Sequence, residues 1–421
     1  MSSGRVLVVG NGGREYALAW KLSQSPFVTS IYAAEGNAGT EKIANNVPIK
    51  PMDIYGLCSF AKQMKIDLTV VGPEFPLMLG IVDLFHAHSL SIFGPTMEAS
   101  KIETSKAFAK KIMLEEGIVT APFAVFGSYT DALQHIHERG FPLVIKADGL
   151  ASGKGVYICI NFADAEIALK ELMLDRIHGK SGDTVVIEDF LVTGKEISVH
   201  ALCADNETIV FPPTRDYKRL KNANKGPNTG GMGAYGPLAD VAPDMMLHVK
   251  HRIIEPVLHG LHKRGTPFTG CLYPGLMGKS VLEFNARFGD PEALVYMRLI
   301  EGDLYLLLKA FADNEQTMPT ISFKNEYAVC VALCSAEYPL PINNPVPISG
   351  ISGAEDISEK VVVFHGATRR TNGSIYTNGG RILYVSATGN TLSEACNLAY
   401  RAIEQIYFQE MQCRTDIANV S

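Results

Sequence analysis

Glu283 and Asn285 stand two apart in the run Val281-Leu282-Glu283-Phe284-Asn285-Ala286-Arg287, and Arg287 follows at the same spacing. Val281, Leu282 and Phe284 are apolar, so the run predicts a strand, and alternation in a strand turns residues two apart to one face. A carboxylate and an amide carbonyl are hard oxygen ligands, suited to one Mg²⁺ that also carries nucleotide phosphates. Arg287 adds a planar fork of donors matched to a carboxylate or a phosphate. An edge strand with polar residues facing water would alternate in the same way. The continuation Gly289-Asp290-Pro291-Glu292 weighs against that plainer account.

Other segments carry groups that handle anions. Gly10-Asn11-Gly12-Gly13-Arg14-Glu15 follows an apolar run and opens a helical pattern, so its glycines and free backbone N–H groups suit a phosphate. With Glu35 near the end of the next run it imitates a dinucleotide fingerprint. Glu15 at the third glycine position would crowd a pyrophosphate, and a sugar phosphate fits better. Glu74, in Val71-Gly72-Pro73-Glu74, has two readings of equal weight: an acceptor for ribose hydroxyls, or a carboxylate on the positive end of a helix.

Lys146 to Val156, KADGLASGKGV, reads as strand, glycine-rich turn and strand. It lacks the spacing and the following helix of a Walker-type loop but suits a lid over a triphosphate, with Lys146 reaching the phosphates from its strand. Lys106, in Ser105-Lys106-Ala107-Phe108, is a second candidate cation or a solvated lysine. At Glu188-Asp189-Phe190-Leu191 an apolar strand runs out at a carboxylate, with Glu196 eight residues after Glu188. That pattern offers an apolar slot for a base and a carboxylate for its ribose. Lys218 to Lys225, then glycine-rich to Gly233, reads as a mobile loop that closes on phosphates, or as a solvated charge run.

The elements that must position these groups are legible as patterns. Apolar runs ending in Gly at 6–10, 31–36, 67–72 and 91–94 alternate with helical stretches at 14–23 and 54–65, which predicts an open parallel sheet. Strands are expected at 144–149, 155–160 and 184–190 with a helix at 163–173. A Pro-rich connector at 339–350 leads to strands at 361–366 and 381–389 and a last helix over 392–407. The fold class is α/β and α+β, multidomain. Residues 1–101 form an α/β unit, 102–325 a central unit with an inserted lid at about 124–190, and 326–421 a small α+β unit.

With 421 residues, 47% hydrophobic and 19% charged, the chain is an ordinary globular protein able to bury several cores. A net charge of −6 argues against nucleic acid as a partner, so positive charge for an anionic substrate must be local. The eight cysteines form no C-x-x-C and read as reduced thiols of a cytoplasmic protein. His86/His88 and His135/His137 lack partners at metal-ligand spacing. No apolar run reaches the length of a secretory core or a membrane span, so no membrane association is expected.

Taken together, GNGGRE (10–15), GNAGT (36–40), VGPE (71–74), SK-x-F (105–108), KADGLASGKGV (146–156), GPNTGGMGAY (226–235), EFNARFGDPE (283–292) and TNGGR (377–381) resemble the ATP-grasp superfamily. Within it the chain resembles the phosphoribosylamine–glycine ligase family. The resemblance covers nearly the whole chain and implies ATP-dependent joining of glycine to 5-phosphoribosylamine through an acyl phosphate, in purine biosynthesis. It implies Mg²⁺ or Mn²⁺ on Glu283 and Asn285. It also implies ATP held by Lys106, Lys146, Gly153, Lys154, Gly155, Glu188, Phe190, Leu191 and Glu196. Arg287, Lys146 and Asp216 would act in catalysis, Asp216 on the glycine ammonium. Asn11, Gly12, Gly13, Arg14, Glu15, Asn37, Glu74, Gly379, Gly380 and Arg381 would hold substrate. The expected state is a monomer or at most a weak dimer. Tyr16, Glu35, Ala286 and Leu294 depart from the family pattern, where His, Pro, Cys or Val, and Gln are usual.

Overall fold

The computed structural model describes residues 4–151, 154–192, 194–204, 207–340 and 344–419. The first sheet has strand order β3-β2-β1-β4-β5, with β1 Gly4–Gly10, β2 Val28–Glu35, β3 Asn45–Val47, β4 Leu68–Val71 and β5 Ile92–Phe93. Every pairing in it is parallel. Helices cover both faces, which is why Val6, Leu7, Val8 and Val9 form an unbroken apolar run, each 0% exposed and each contributing roughly 1.5–3 kcal/mol of burial. Strand order reverses between β1 and β4, and ligands of open parallel sheets bind outside the carboxyl ends at such a point. Gly10–Glu15 and Gly72–Glu74 both lie there.

A four-stranded antiparallel sheet, order β6-β9-β7-β8, follows: β6 Phe123–Phe126, β7 Leu143–Ala147, β8 Val156–Cys159 and β9 Val185–Asp189. The strands β10 Glu196–Ser198, β11 Ala201–Ala204 and β12 Glu207–Val210 belong to a sheet completed by β17 Gly270–Met277 and β18 Ser280–Asn285. Between them in sequence lie β13 Arg215–Asp216, β14 Arg219–Lys221, β15 Lys225–Asn228 and β16 Gly233–Gly236. The expected mobile loop over 218–233 is therefore an antiparallel hairpin, β14 with β15, whose turn runs through Ala223 and Asn224 at positive φ.

After the short pair β19 Ile300–Glu301 and β20 Ser322–Phe323 come β21 Tyr327–Cys334, β22 Val361–His365, the hairpin β23 Thr368–Thr371 and β24 Ser374–Thr377, and β25 Arg381–Gly389. The last five-stranded sheet runs β13-β16-β21-β25-β22. Two of its strands come from before residue 325, so one hydrogen-bonded ladder spans the expected boundary. The last helix stops at Ile403, short of the expected 407, because Tyr407 exchanges backbone hydrogen bonds with Ser349 instead of continuing the helix.

The helix Gly13–Leu22 shares a buried cluster with the helix Glu292–Leu299 through Ala17, Leu18, Ala293 and Val295. This contact brings the carboxyl ends of the parallel sheet to face the end of β18.

Candidate active site

β18 pairs with β17 in a register that shifts by one residue: Gly275 faces Glu283 and Leu276 faces Val281, leaving Leu282 extra. Such a bulge re-aims neighbouring groups. Here the Leu282 carbonyl accepts from Lys146 Nζ at 3.0 Å. Burial disfavours the Glu283 carboxylate, but Lys218, Lys146, Lys106 and Arg287 outweigh it and hold its pKa at about 2. Lys218 Nζ lies 3.6 Å from Glu283 Oε1 and also pairs with Glu196. A Cβ at Gly275 would stand 3.7 Å from both Glu196 Oε1 and Glu283 Cγ, so the bare glycine keeps space open between the two acids.

An ionised Glu283 with Asn285 on the same strand is an oxygen-only donor set, which fits Mg²⁺. Among the described residues no group of three or more His, Cys, Asp or Glu is placed to hold a metal. Glu283 and Asn285 would then share the ion with phosphate oxygens and water.

The lysines come from three elements. Lys146 on β7 lies 3.0 Å from Glu188 Oε1, and Lys110, in the helix Lys106–Glu115, lies 3.1 Å from Glu188 Oε2. Lys110 is 1% exposed; burial pulls its pKa down to about 8 even with Glu188 beside it. Its ammonium also donates to Thr120 Oγ1 at 2.6 Å, and Thr120 donates to the carbonyl of Val281. Lys106 opens the same helix. Ser105 caps it by accepting from Phe108 N, while Asp148 accepts from Ala107 N at 2.7 Å. These bonds tie the root of the glycine-rich turn to the helix start. Burial lowers the Lys106 pKa against the pull of Glu283. Lys154 donates to the Pro339 carbonyl, and Gly155 is backed by Ala151 and Ala147. Gly153 lies outside the described residues. Phe190 and Leu191 line the cleft beside Glu188.

Arg287 is the hinge of the charge arrangement. Its guanidinium lies 3.0 Å from Glu103 Oε1 and 3.4 Å from Glu74 Oε2, and donates to Tyr273 Oη at 2.8 Å. Glu103 in turn accepts from Ala286 N at 2.7 Å. Glu74 is the first residue of the helix Glu74–Met78, so it sits on the positive helix end and also faces the cleft. Glu292, first in its own helix, is 4% exposed and neighbours Asp216. Burial, then Glu292 and Glu196, push the Asp216 pKa up to about 8 despite Lys218. His200 accepts from Gly289 N at 3.0 Å through Nε2, so Nδ1 carries the proton, and its ring stacks on Tyr273 at 3.8 Å. Burial and Arg287 hold it neutral.

The predicted sugar-phosphate residues divide. Arg14 lines the cleft and donates to the Phe288 carbonyl. Glu15 is 3% exposed and spends its oxygens on Gly12 N and Arg14 Nε. Its side chain fills the space before Gly10 and Gly72, where a Cβ would come within 2.4 Å of its Cγ and 2.0 Å of its Oε1 respectively. Asn11 lies 3.4 Å from Glu35 Oε2. Asn37 donates to the carbonyls of Asn11 and His365 and accepts from Gly39 N and Thr40 N, which makes it a knot in its loop. Gly12, beside Asp290, and Gly13, against Tyr384, allow close packing. Arg381 gives its donors to the Gly230 and Asp290 carbonyls and to Asp290 Oδ2, while Gly379 and Gly380 pack on Ala367 and Tyr338. Of the four departures, Tyr16 packs edge-on to Phe364 and Leu294 is core at 0% exposed.

One cleft of about 1120 Å³ gathers most of these side chains, among them Glu74, Lys106, Lys146, Glu188, Glu196 and Asp216. Glu283, Asn285, Arg287 and Arg381 lie on it as well. Asn11, Gly12, Gly13, Glu15, Asn37, Lys154, Gly379 and Gly380 stand outside its lining. Sequence reasoning missed Glu103, Lys110, Lys218, His200 and Glu292 as individual site residues. Lys110 had a signal, being one helical turn from Lys106. Glu292 stood within the quoted motif; His200 and Glu103 carried no local mark.

A lid-like sheet over a strand that carries acid and amide, with lysines reaching in from both sides, defines an ATP-grasp enzyme. A biotin carboxylase from Campylobacter jejuni shares the fold at a TM-score of 0.72 and 14% identity, covering 97% of this chain and 92% of its own. The chain belongs to the phosphoribosylglycinamide synthetase family: its N domain matches residues 4–103, its ATP-grasp (A) domain 104–293 and its C domain 328–420. The phosphoribosylamine–glycine ligase of Vibrio vulnificus is 42% identical over 419 residues, covering 98% of this chain and 97% of its own. That of Caldanaerobacter subterraneus is 42% identical over 418 residues, covering 98% and 99%. The crystal structure of the Thermotoga maritima phosphoribosylamine–glycine ligase superposes with a TM-score of 0.84 at 30% identity, covering 98% of this chain and 100% of its own.

Proposed function

We propose that this chain joins glycine to 5-phosphoribosylamine with cleavage of ATP, giving glycinamide ribonucleotide, ADP and phosphate through a glycyl phosphate. The observation that carries the reading is the single cleft in which Glu283, Asn285, Lys106, Lys146 and Lys218 stand beside Arg287 and the acids Asp216 and Glu292. One side suits a triphosphate; the other suits a small zwitterion. Phe190, Leu191 and Glu188 would take the base, Glu196 its ribose, and the segment that joins β7 to β8 would cover the phosphates.

Lys106 and Lys146 would spread the charge of the transferring phosphoryl group. Arg287 would steady the glycine carboxylate and the phosphate forming on it, and Asp216 with Glu292 would hold the ammonium. Arg14 and Glu74, at the carboxyl ends of the parallel sheet, would present the sugar amine. A divalent ion on Glu283 and Asn285 would neutralise nucleotide charge. The same reading divides the chain near residues 101 and 325, with 124–190 as the lid, and has the chain act in the cytoplasm as a monomer or at most a weak dimer. All eight cysteines are free, and no described helix is long and apolar enough to cross a membrane.

The test is phosphate release from ATP with purified protein. Release is expected only when glycine and phosphoribosylamine are both supplied. Release with another amino acid in place of glycine, and none with glycine, would overturn the substrate assignment. A pH dependence follows from Asp216. Its raised pKa of about 8 leaves the carboxyl protonated at neutral pH until a cation draws the proton off. The KM for glycine is therefore expected to fall as pH rises from 6.5 to 8.5. In Asp216→Asn it should be high and flat across that range.

A further inference from the structure

The chain does not end on the last helix. Beyond it, Gln412 exchanges backbone hydrogen bonds with Cys334 at 2.8 and 3.0 Å, and the following residues return to the cleft. Arg414 is among the largest fully buried side chains, 1% exposed. Its Nε and Nη2 each lie 2.7 Å from Asp416, and Nη1 donates to the Arg219 carbonyl at 3.1 Å and to Asn224 Oδ1 at 2.9 Å. The guanidinium sits 4.6 Å over the Tyr217 ring, whose hydroxyl accepts from Ala418 N.

Of these partners Arg219, Asn224 and Tyr217 lie on or beside the β14–β15 hairpin. Thr415 and Asn222 bond reciprocally, and Asp416 Oδ2 accepts from Ala223 N at 2.8 Å. Ala223 and Asn224 hold φ of +56 and +52, a conformation that side chains with a Cβ resist unless the surroundings fix it. Among the described residues the hairpin pairs with no other strand, and an isolated two-stranded hairpin is marginal in water. Lys218 immediately precedes it and meets Glu196 and Glu283. Arg414 and Asp416 line the same cleft.

We infer that the segment Arg414–Ala418 is a working part of the active site: Arg414 is a positioning residue that, through Tyr217 and Arg219, sets the Lys218 ammonium against Glu283. The inference rests on the reading of this cleft as the site of ligation. A displaced Lys218 keeps its charge and loses its aim, and a misplacement of about 1 Å costs on the order of a hundredfold.

The experiment is a double-mutant cycle on the full chain, with Lys218→Met, Arg414→Met and both together, read as kcat and KM with melting temperature as the folding control. Arg414→Met is expected to lower kcat about ten- to hundredfold with a smaller change in the KM for ATP, and to cost nothing further when Lys218 is already Met. Asp416→Asn, at the exposed end of the network, serves in the same cycle if Arg414→Met does not fold. Parental kcat in folded Arg414→Met and Asp416→Asn, or losses that simply multiply with that of Lys218→Met, would overturn the inference. Parental turnover in Lys218→Met itself would instead place the fault in the reading of the cleft.

Discussion

Glu283→Gln is expected to abolish ligation in a chain that still folds. The substitution keeps the shape of the side chain and removes only its charge, on a strand whose register is set by backbone pairing to β17. In the parent, four cations hold this carboxylate ionised, with a pKa of about 2. Without it Lys146, Lys106 and Lys218 face one another with less to balance them, although Lys218 retains Glu196. The nucleotide charge then loses its ion-bearing oxygen. A loss of about a thousandfold in kcat is expected, the scale on which removal of a preorganised charge-stabilising group acts. Melting temperature should stay within about 4 °C of the parent, as for a shift of no more than about 3 kcal/mol in a chain of this size. Turnover within tenfold of the parent would remove Glu283 from its assigned place.

The second large effect is on stability and activity together. Arg287→Met leaves Glu103, whose side chain is 6% exposed, and Glu74, at 19%, without the guanidinium that joins them. Breaking a buried pair by removing one partner costs about 3–5 kcal/mol, because the remaining charge is uncompensated. Burial already raises the Glu103 pKa with Arg287 present; without that cation it rises further. A carboxyl whose folded pKa exceeds its unfolded value stabilises the fold while protonated and loses that contribution as pH climbs through the folded pKa. The melting deficit of Arg287→Met should accordingly be smallest near pH 5 and grow toward pH 8. Adding Glu103→Gln should recover most of the stability and none of the turnover. A deficit independent of pH, or recovered turnover in the double variant, would contradict this account.

Much of the architecture was legible because it rests on local patterns. The unbroken run Val6–Val9 announces a strand covered on both faces, and Arg381–Gly389 forms a strand with the expected bounds. The strand carrying Glu283 and Asn285 was equally plain, since apolar and polar residues alternate through it. The remainder depended on partners distant in sequence. Glu103 is paired with Arg287 from 184 positions away, and nothing around it marks a buried carboxylate. Residues 218–233 are rich in lysine and glycine and read as mobile, yet the chain end holds them through Arg414 and Asp416. Asn37 and Arg381 carry the polar groups expected of ligand contacts, and in the structure each also binds backbone carbonyls of segments far away in sequence.

The ladder that joins β16 to β21 has a practical consequence for anyone dividing this chain into pieces. Cutting near residue 325 would strip β21 of its β16 neighbour along Ala328–Val331 and expose a row of unpaired amides and carbonyls on an apolar strand. The carboxyl-terminal fragment made by itself should self-associate along that seam. Co-expressed with the remainder, it should zip back together backbone to backbone.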